Sequence, residues 1–470
     1  MSKRMLCLLC AFLLLLFPLT AQAAYEGKIT SAHVMLMDYD SGAVLYEKDA
    51  YSKAYPASTT KIMTCILVLE NCDNLREKVL IGNVVNKYGK GNSLMGLVAG
   101  DEVRVKELLY GLMLPSGNDA AAVLAEKFGG STEGFAEMMN AKAAELGMDD
   151  THYVTPHGLH NDEHYTTAAD MAKLVRYVMG NKSFMKIVGT PSYTCPATKK
   201  SEERTLYNSN RFISPRSKNK SYNWSAVTGM KTGYTNPAGG CLVTTATQDG
   251  KTLLCVLLGD HSDGQEARWK ESRALLEYGF ENLTSVPLSQ IVPTAPEIEV
   301  FDASVNDEGA GRLAVNLGAS GQTLSGLKDT LDAAAENPAA VQISYSFDEV
   351  AAPVKAGDVL GTATLSYDGT VLGTVDVTAS RSVASTADDP VVTPEPEQTA
   401  QSGNSLVSGT PTPVEKSGVS TYAVIALVLL VLILLLALAR LRVVVRRRKR
   451  QKRHQQFLEH QRREQNRSRG

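Results

Sequence analysis

Ser58 and Lys61 place a hydroxyl and an amine three residues apart in the run Pro56-Ala57-Ser58-Thr59-Thr60-Lys61. Ile62, Cys65, Ile66 and Leu69 follow at helical spacing, which predicts a helix with one apolar face and Ser58 near its N-terminus. Residues at i and i+3 are neighbours on such a helix. A neutral lysine there can take the serine proton, and the unpaired N–H groups of a helix start can bind a developing oxyanion. The pair alone carries little weight, because Ser183/Lys186, Ser217/Lys220 and Ser325/Lys328 repeat the spacing without a comparable setting. For each of these, a helix start with a solvated lysine is the bland alternative.

Two further polar groups come in order, Ser116-Gly117-Asn118 and Lys231-Thr232-Gly233. Each has a look-alike, Ser402-Gly403-Asn404 and Lys416-Ser417-Gly418, in a Pro/Ser/Thr-rich stretch with no periodic apolar pattern to build a pocket. Setting separates them. Val105, Leu108, Leu109, Leu112 and Met113 form a helical stripe that stops at Pro115, and a second stripe through Ala121, Val123, Leu124 and Phe128 begins after Asn118. Ser116 and Asn118 therefore fall on a tight turn between two buried helices, a rigid place from which to aim polar side chains. Cys241 to Thr245 and Leu253 to Leu258 read as two strands joined at Asp249-Gly250. Lys231-Thr232-Gly233 runs just before them, with Gly229 and Gly233 allowing close backbone approach, so a peptide could add to that strand by main-chain hydrogen bonds.

This trio resembles that of the low-molecular-mass penicillin-binding proteins, the serine-type D-alanyl-D-alanine carboxypeptidases of peptidase family S11. Val34 to Tyr39 with Ser41-Gly42, Gly111 to Ala120, Thr155-Pro156-His157-Gly158-Leu159 and Gly229 to Thr235 extend the likeness over roughly Ile29 to Leu283. The resemblance implies an α/β (α+β) catalytic domain of the serine β-lactamase and penicillin-binding-protein type. In it a helical cluster packs on an antiparallel sheet, with Ser58 at their junction. Carried over residue by residue, Ser58 is the acylated nucleophile and Lys61 its general base. Lys61 must then be kept neutral by burial and by a second cation, Lys231, because a free lysine has a pKa of roughly 10.4. Ser116 relays a proton to the leaving amine, and Asn118 holds the substrate amide and Lys61. The backbone N–H groups of Ser58 and Tyr234 form the oxyanion hole, beside Gly233, while Lys231 and Thr232 meet the terminal carboxylate of the substrate.

A carboxypeptidase must read a free chain end, and a guanidinium is the natural fork for a carboxylate. Aligning Leu275-Leu276 and Gly279-Phe280 with the corresponding family helix places Arg268 there, against the alternative of a solvated helix arginine. Nothing rests on the Tyr234 side chain, and His157 is expected to brace the pocket. The implied substrates are peptidoglycan stem peptides ending in D-Ala-D-Ala, with β-lactams as covalent inhibitors and neither cofactor nor metal. Two alternatives stand beside this reading. One is a β-lactamase on the same fold, for which no Glu-x-x-Leu-Asn element occurs between Asn118 and Lys231. The other is a catalytically silent wall-binding protein.

The ends of the chain carry addresses. Residues 1–23 have the basic start, apolar run and small-residue close of a secretory signal peptide. Tyr422 to Ala439 is uninterruptedly apolar and, within a span placed at residues 421–441, long enough for the roughly 20 residues that cross a bilayer. Residues 440–470 hold 13 Lys/Arg against Glu459 and Glu464, a balance of +11, which predicts a cytoplasmic tail (442–470) at the cytoplasmic membrane with the bulk outside. The chain's net charge is −2, so after Lys3 and Arg4 the external part carries about −15; an acidic exterior excludes nucleic-acid binding by bulk charge. The expected organisation is a catalytic domain at 24–285, a small β-rich domain at 286–383 and a Pro/Thr/Ser/Glu-rich tether at 384–420. Five cysteines follow the signal segment, with no disulfide or metal spacing; buried free thiols are the expectation.

Overall fold

The computed structural model describes residue 25 and residues 27–294, 296–347 and 349–388. The signal segment, the apolar 422–439 stretch, the basic tail and nearly all of the tether lie outside these residues, and among the described ones no helix is long and apolar enough to cross a membrane.

The chain opens with a hairpin, β1 (His33–Asp38) and β2 (Val44–Lys48), then passes through a 3-10 turn (Ala57–Thr60) directly into helix α1 (Lys61–Glu70). A ribbon of β3 (Lys78–Leu80) and β4 (Glu102–Arg104) leads to α2 (Val105–Met113), α3 (Asn118–Gly129), α4 (Thr132–Glu145), α5 (Ala168–Met179) and α6 (Lys182–Val188). After a second ribbon, β5 (Ser192–Cys195) with β6 (Arg204–Tyr207), come three long strands, β7 (Val227–Thr235), β8 (Gly239–Gln248) and β9 (Lys251–Asp260), and helix α7 (Ala267–Asn282).

Five antiparallel strands form the central sheet in the order β2-β1-β9-β8-β7. Its strands read as continuous apolar runs because both faces are covered. Along β9, Leu254, Val256 and Leu258 enter the core shared with α1, α2, α3 and α5, while Leu253, Cys255 and Leu257 enter the core with Trp269, Leu275 and Leu276 of α7. Val34, Met35 and Leu36 alternate in the same way on β1. This period of two sets the register, since a slip by one residue would exchange the two cores.

The expected helix start needs one correction. Ser58 lies in the 3-10 turn, and the regular helix begins at Lys61. The Thr59 and Thr60 hydroxyls donate back to the carbonyls of Pro56 and Ala57, each at 2.7 Å, which favours the tighter i to i+3 winding.

The C-terminal part is β-rich: β10 (Leu283–Pro287), β11 (Glu297–Glu299), β12 (Arg312–Leu317), β13 (Thr323–Leu327), β14 (Gln342–Ser346), β15 (Val359–Tyr367) and β16 (Thr370–Ala379). The hairpin at Asp368-Gly369 joins β15 to β16 as its turn chemistry predicts. A helix unforeseen by the strand pattern, Lys328–Glu336, buries Leu331 and Ala334 in that domain's own core. The five cysteines of the described residues are free thiols, and four of them are buried.

Candidate active site

Three elements meet at the junction of sheet and helices: the 57–60 turn with α1, the turn between α2 and α3, and strand β7. Ala57 occupies the left-handed region at φ 47°, and so does Ser116 at φ 66°. Two strained non-glycine residues in one site mark backbones held by their surroundings. Gly233 is required where β7 abuts the turn, because a Cβ there would lie 3.0 Å from both the Pro56 carbonyl oxygen and the Ser58 nitrogen.

Lys61 Nζ lies 2.8 Å from Ser58 Oγ, 2.8 Å from Asn118 Oδ1 and 2.6 Å from the His157 carbonyl. The last two groups can only accept. When the amine is neutral, with two N–H donors and one lone pair, the two donors go to the carbonyls and the lone pair faces the Ser58 hydroxyl. Electrostatics supports that state. Burial pushes the Lys61 pKa well below its ordinary value and Lys231 pushes it further, with Asp119 opposing. Burial and the nearby Arg268 lower Lys231 to about 7. Arg268, 8 % exposed on α7, donates to the Gly233 carbonyl at 2.9 Å, so the solvated alternative is excluded. Gly240 leaves room for that guanidinium, since a Cβ there would meet Arg268 Nη1 at 2.5 Å.

The structure thus brings Ser58, Lys61, Asn118, Lys231, Gly233 and Arg268 together by direct contact or charge. Thr232 Oγ1 sits 2.8 Å from Ser209 Oγ. Ser116 Oγ and Arg268 Nε are buried and have no hydrogen-bond partner among the described residues, which leaves polar capacity for a ligand. The Tyr234 ring is half exposed and its hydroxyl donates to Asn236. His157 lines the site through its backbone. Its Nδ1 accepts from the Leu159 N–H at 3.1 Å, so the proton is on Nε2, facing Tyr88 Oη at 3.0 Å. Burial, then Lys61 and His164, lowers its pKa to about 3.

Several supporting residues escaped the sequence reading. Asp119 accepts from the N–H groups of Met95, Gly96 and Leu97, tying down a strap whose Asn92 accepts from Asn118 Nδ2 at 3.0 Å. Thr64 donates to the Pro156 carbonyl at 2.6 Å. The one available signal was the place of Asp119 directly after Asn118; the others lie far apart in sequence and make no spacing pattern. Among the described residues no group of three or more His, Cys, Asp or Glu could hold a metal ion.

A five-stranded antiparallel sheet with a helical cluster on one face, and an amine-served serine at their junction, defines a penicillin-binding-protein-like catalytic domain. Residues 19–262 match the D-alanyl-D-alanine carboxypeptidase family, peptidase S11, and residues 327–385 match the C-terminal domain of penicillin-binding protein 5. The chain belongs to the peptidase S11 family. It is 32% identical over 394 residues to the D-alanyl-D-alanine carboxypeptidase DacF of Bacillus subtilis, covering 81% of this chain and 94% of that one. A D-alanyl-D-alanine carboxypeptidase of Streptomyces sp. K15 is 35% identical over 273 residues, 55% of this chain and 90% of its own. Among solved structures, penicillin-binding protein 5 from Haemophilus influenzae superposes with a TM-score of 0.58 at 26% identity, covering 77% of this chain and 99% of that one.

Proposed function

We propose that this serine-type D-alanyl-D-alanine carboxypeptidase removes the terminal D-Ala from peptidoglycan pentapeptides through an acyl-enzyme at Ser58, and that β-lactams acylate the same oxygen. The observation that carries the reading is the coordination of Lys61, two carbonyl acceptors and one hydroxyl, which suits a neutral amine poised to take a proton. Ser58 Oγ attacks the penultimate D-Ala carbonyl as its proton passes to Lys61 Nζ. The N–H groups of Ser58 and Tyr234 stabilise the oxyanion. The C–N bond breaks, and Ser116 relays a proton to the departing amine. Water then attacks the acyl carbon and frees Ser58. Lys231, Thr232 and Arg268 receive the terminal carboxylate, while Asn118 holds the amide and the stem peptide lies along the free edge of β7. We also propose the address read from the sequence: export by the 1–23 signal, a tether, one span at 421–441 and a basic tail inside, with residues 24–285 and 286–383 as the catalytic and β-rich domains.

The purified full-length protein should release D-alanine from an acylated peptide ending in D-Ala-D-Ala, and labelled penicillin should attach at Ser58. Absence of release from folded protein, or undiminished labelling of Ser58→Ala, overturns the reading. Rapid penicillin turnover in the same experiment would instead support a β-lactamase.

A further inference from the structure

His164 belongs to none of the three motifs and touches none of the proposed reacting side chains, yet it is buried behind them. Its Nδ1 accepts from the backbone N–H groups of Val154 at 2.9 Å and Thr155 at 3.2 Å. Those donors occupy the lone pair, so the ring proton is on Nε2. Nε2 lies 2.8 Å from Thr60 Oγ1, and the Thr60 hydroxyl in turn sits 2.7 Å from the Ala57 carbonyl oxygen, which can only accept. Every donor in this relay therefore has one direction: imidazole to Thr60, Thr60 to Ala57. Ala57 is the strained residue immediately before the nucleophile. The segment held by Nδ1 continues through Pro156, whose carbonyl takes the Thr64 hydroxyl, to His157, whose carbonyl accepts from Lys61. One ring thus grips both the turn that aims Ser58 and the loop that supplies an acceptor to its base.

We infer that His164 is a positioning residue for acylation, holding the 57–60 turn and the 154–158 loop in register through a single fixed tautomer. The inference rests on the proposed roles of Ser58 and Lys61. Burial, then His152, Lys61 and His160, lowers the ring's pKa to about 4, which keeps it in the neutral form the relay requires. A merely space-filling histidine would affect stability and leave the chemistry of the folded protein alone. A positioning one moves the reacting pair, and misplacement by about 1 Å costs on the order of a hundredfold in rate.

The test uses full-length protein, with acylation by labelled penicillin and peptide turnover both normalised to the folded fraction from urea unfolding. Thr60→Val removes the relay hydroxyl while keeping the side-chain shape, and His164→Asn keeps an acceptor for Val154 and Thr155 but cannot reach Thr60. Each should lower kcat and the acylation rate by about tenfold or more with KM little changed, consistent with lost orientation. The double variant should be no worse than the worse single one, because both break one relay, and Thr60→Ser should recover most of the loss. Folded Thr60→Val protein with wild-type acylation, or losses that simply multiply in the double variant, overturns the inference; because the Thr60 variants suffice, poor folding of His164→Asn does not shelter it. Wild-type label on a residue other than Ser58 overturns the site reading and this inference together. Label on Ser58 with indifferent variants overturns this inference alone.

Discussion

Gly158→Ala isolates how tightly the nucleophile turn is held. Gly158 has φ +79°, and a Cβ there would lie 2.5 Å from the Ala57 carbonyl carbon, 2.6 Å from Thr60 Oγ1 and closer still to the Ala57 carbonyl oxygen. An ordinary carbon–carbon contact needs about 3.5 Å, so the Ala57 peptide must retreat by about 1 Å. That peptide precedes Ser58 and accepts the Thr60 hydroxyl, so it cannot move without turning the nucleophile. The left-handed backbone costs alanine about 1 to 2 kcal/mol and overpacking about 1 to 3 kcal/mol more, a destabilisation of roughly 2 to 5 kcal/mol. The displacement itself should slow acylation by about a hundredfold in the protein that remains folded. Urea unfolding gives the first quantity and stopped-flow acylation by a fluorescent penicillin the second. Gly147→Ala is the control: Gly147 has φ +65° with nothing within 4 Å of the added Cβ, so it carries the conformational cost without the collision. Wild-type acylation by folded Gly158→Ala, or equal damage from Gly147→Ala, would refute the reasoning.

Acid should destabilise the fold through its two neutral buried rings. His157 and His164 titrate at about 3 and about 4 in the folded protein against 6.5 for a free histidine, so the unfolded chain binds more protons between these values. Unfolding free energy therefore falls as pH drops below 6.5, by about 2 kcal/mol per ring between pH 7 and pH 5; His164→Asn should lose less over that interval in urea titrations, and an unchanged loss would contradict the assignment. Lys61 and Lys231 act with the same sign at higher pH: their depressed folded pKa values lower stability below 10.5 and relieve it as pH rises from neutrality toward 10.5. Arg268→Gln should cost about 1.5 to 3 kcal/mol in kcat/KM, roughly 10- to 150-fold, on peptides with a free terminal carboxylate. Small thioesters lacking that carboxylate should lose far less, and equal losses would remove the recognition role.

Much of this site was legible because its key groups are local. Ser58 and Lys61 share one turn, Ser116 and Asn118 share another, and the apolar stripes around them fixed which look-alikes to discard. The strands 239–248 and 251–260 announced themselves by apolar continuity and the Asp249-Gly250 turn. What could not be read is what distance in sequence conceals. The pairing of β1 with β9 joins residues more than two hundred positions apart, and no local pattern encodes it. The same is true of the His157 carbonyl on Lys61, because a backbone acceptor has no residue signature. His164 looked like any histidine before a helix. The helix at Lys328–Glu336 was hidden by its shortness: Leu331 and Ala334 give a single period, too little to outweigh the flanking strand pattern.

Three basic side chains share the buried site, and burial together with their order of basicity explains how the amine beside Ser58 stays neutral. An arginine keeps its charge in almost any protein setting, so Arg268 remains positive even when almost wholly buried. Burial is the larger cause for both lysines; to it the field of Arg268 adds a further lowering of Lys231, and Lys231 a further lowering of Lys61. Positive charge is thereby weighted toward the strand where the carboxylate of a chain end would lie, and the proton acceptor is left beside the hydroxyl. A lysine at position 268 would itself be open to neutralisation by burial, and the gradient would weaken at its source. In the proposed reading Arg268 thus acts twice, directly on the substrate carboxylate and, through Lys231, on the base. The carboxylate-free thioester separates the two, since any acylation lost there in Arg268→Gln reports the field alone. Such a loss should be recovered by raising the pH, because removing the guanidinium lets Lys231 and then Lys61 hold their protons to higher pH.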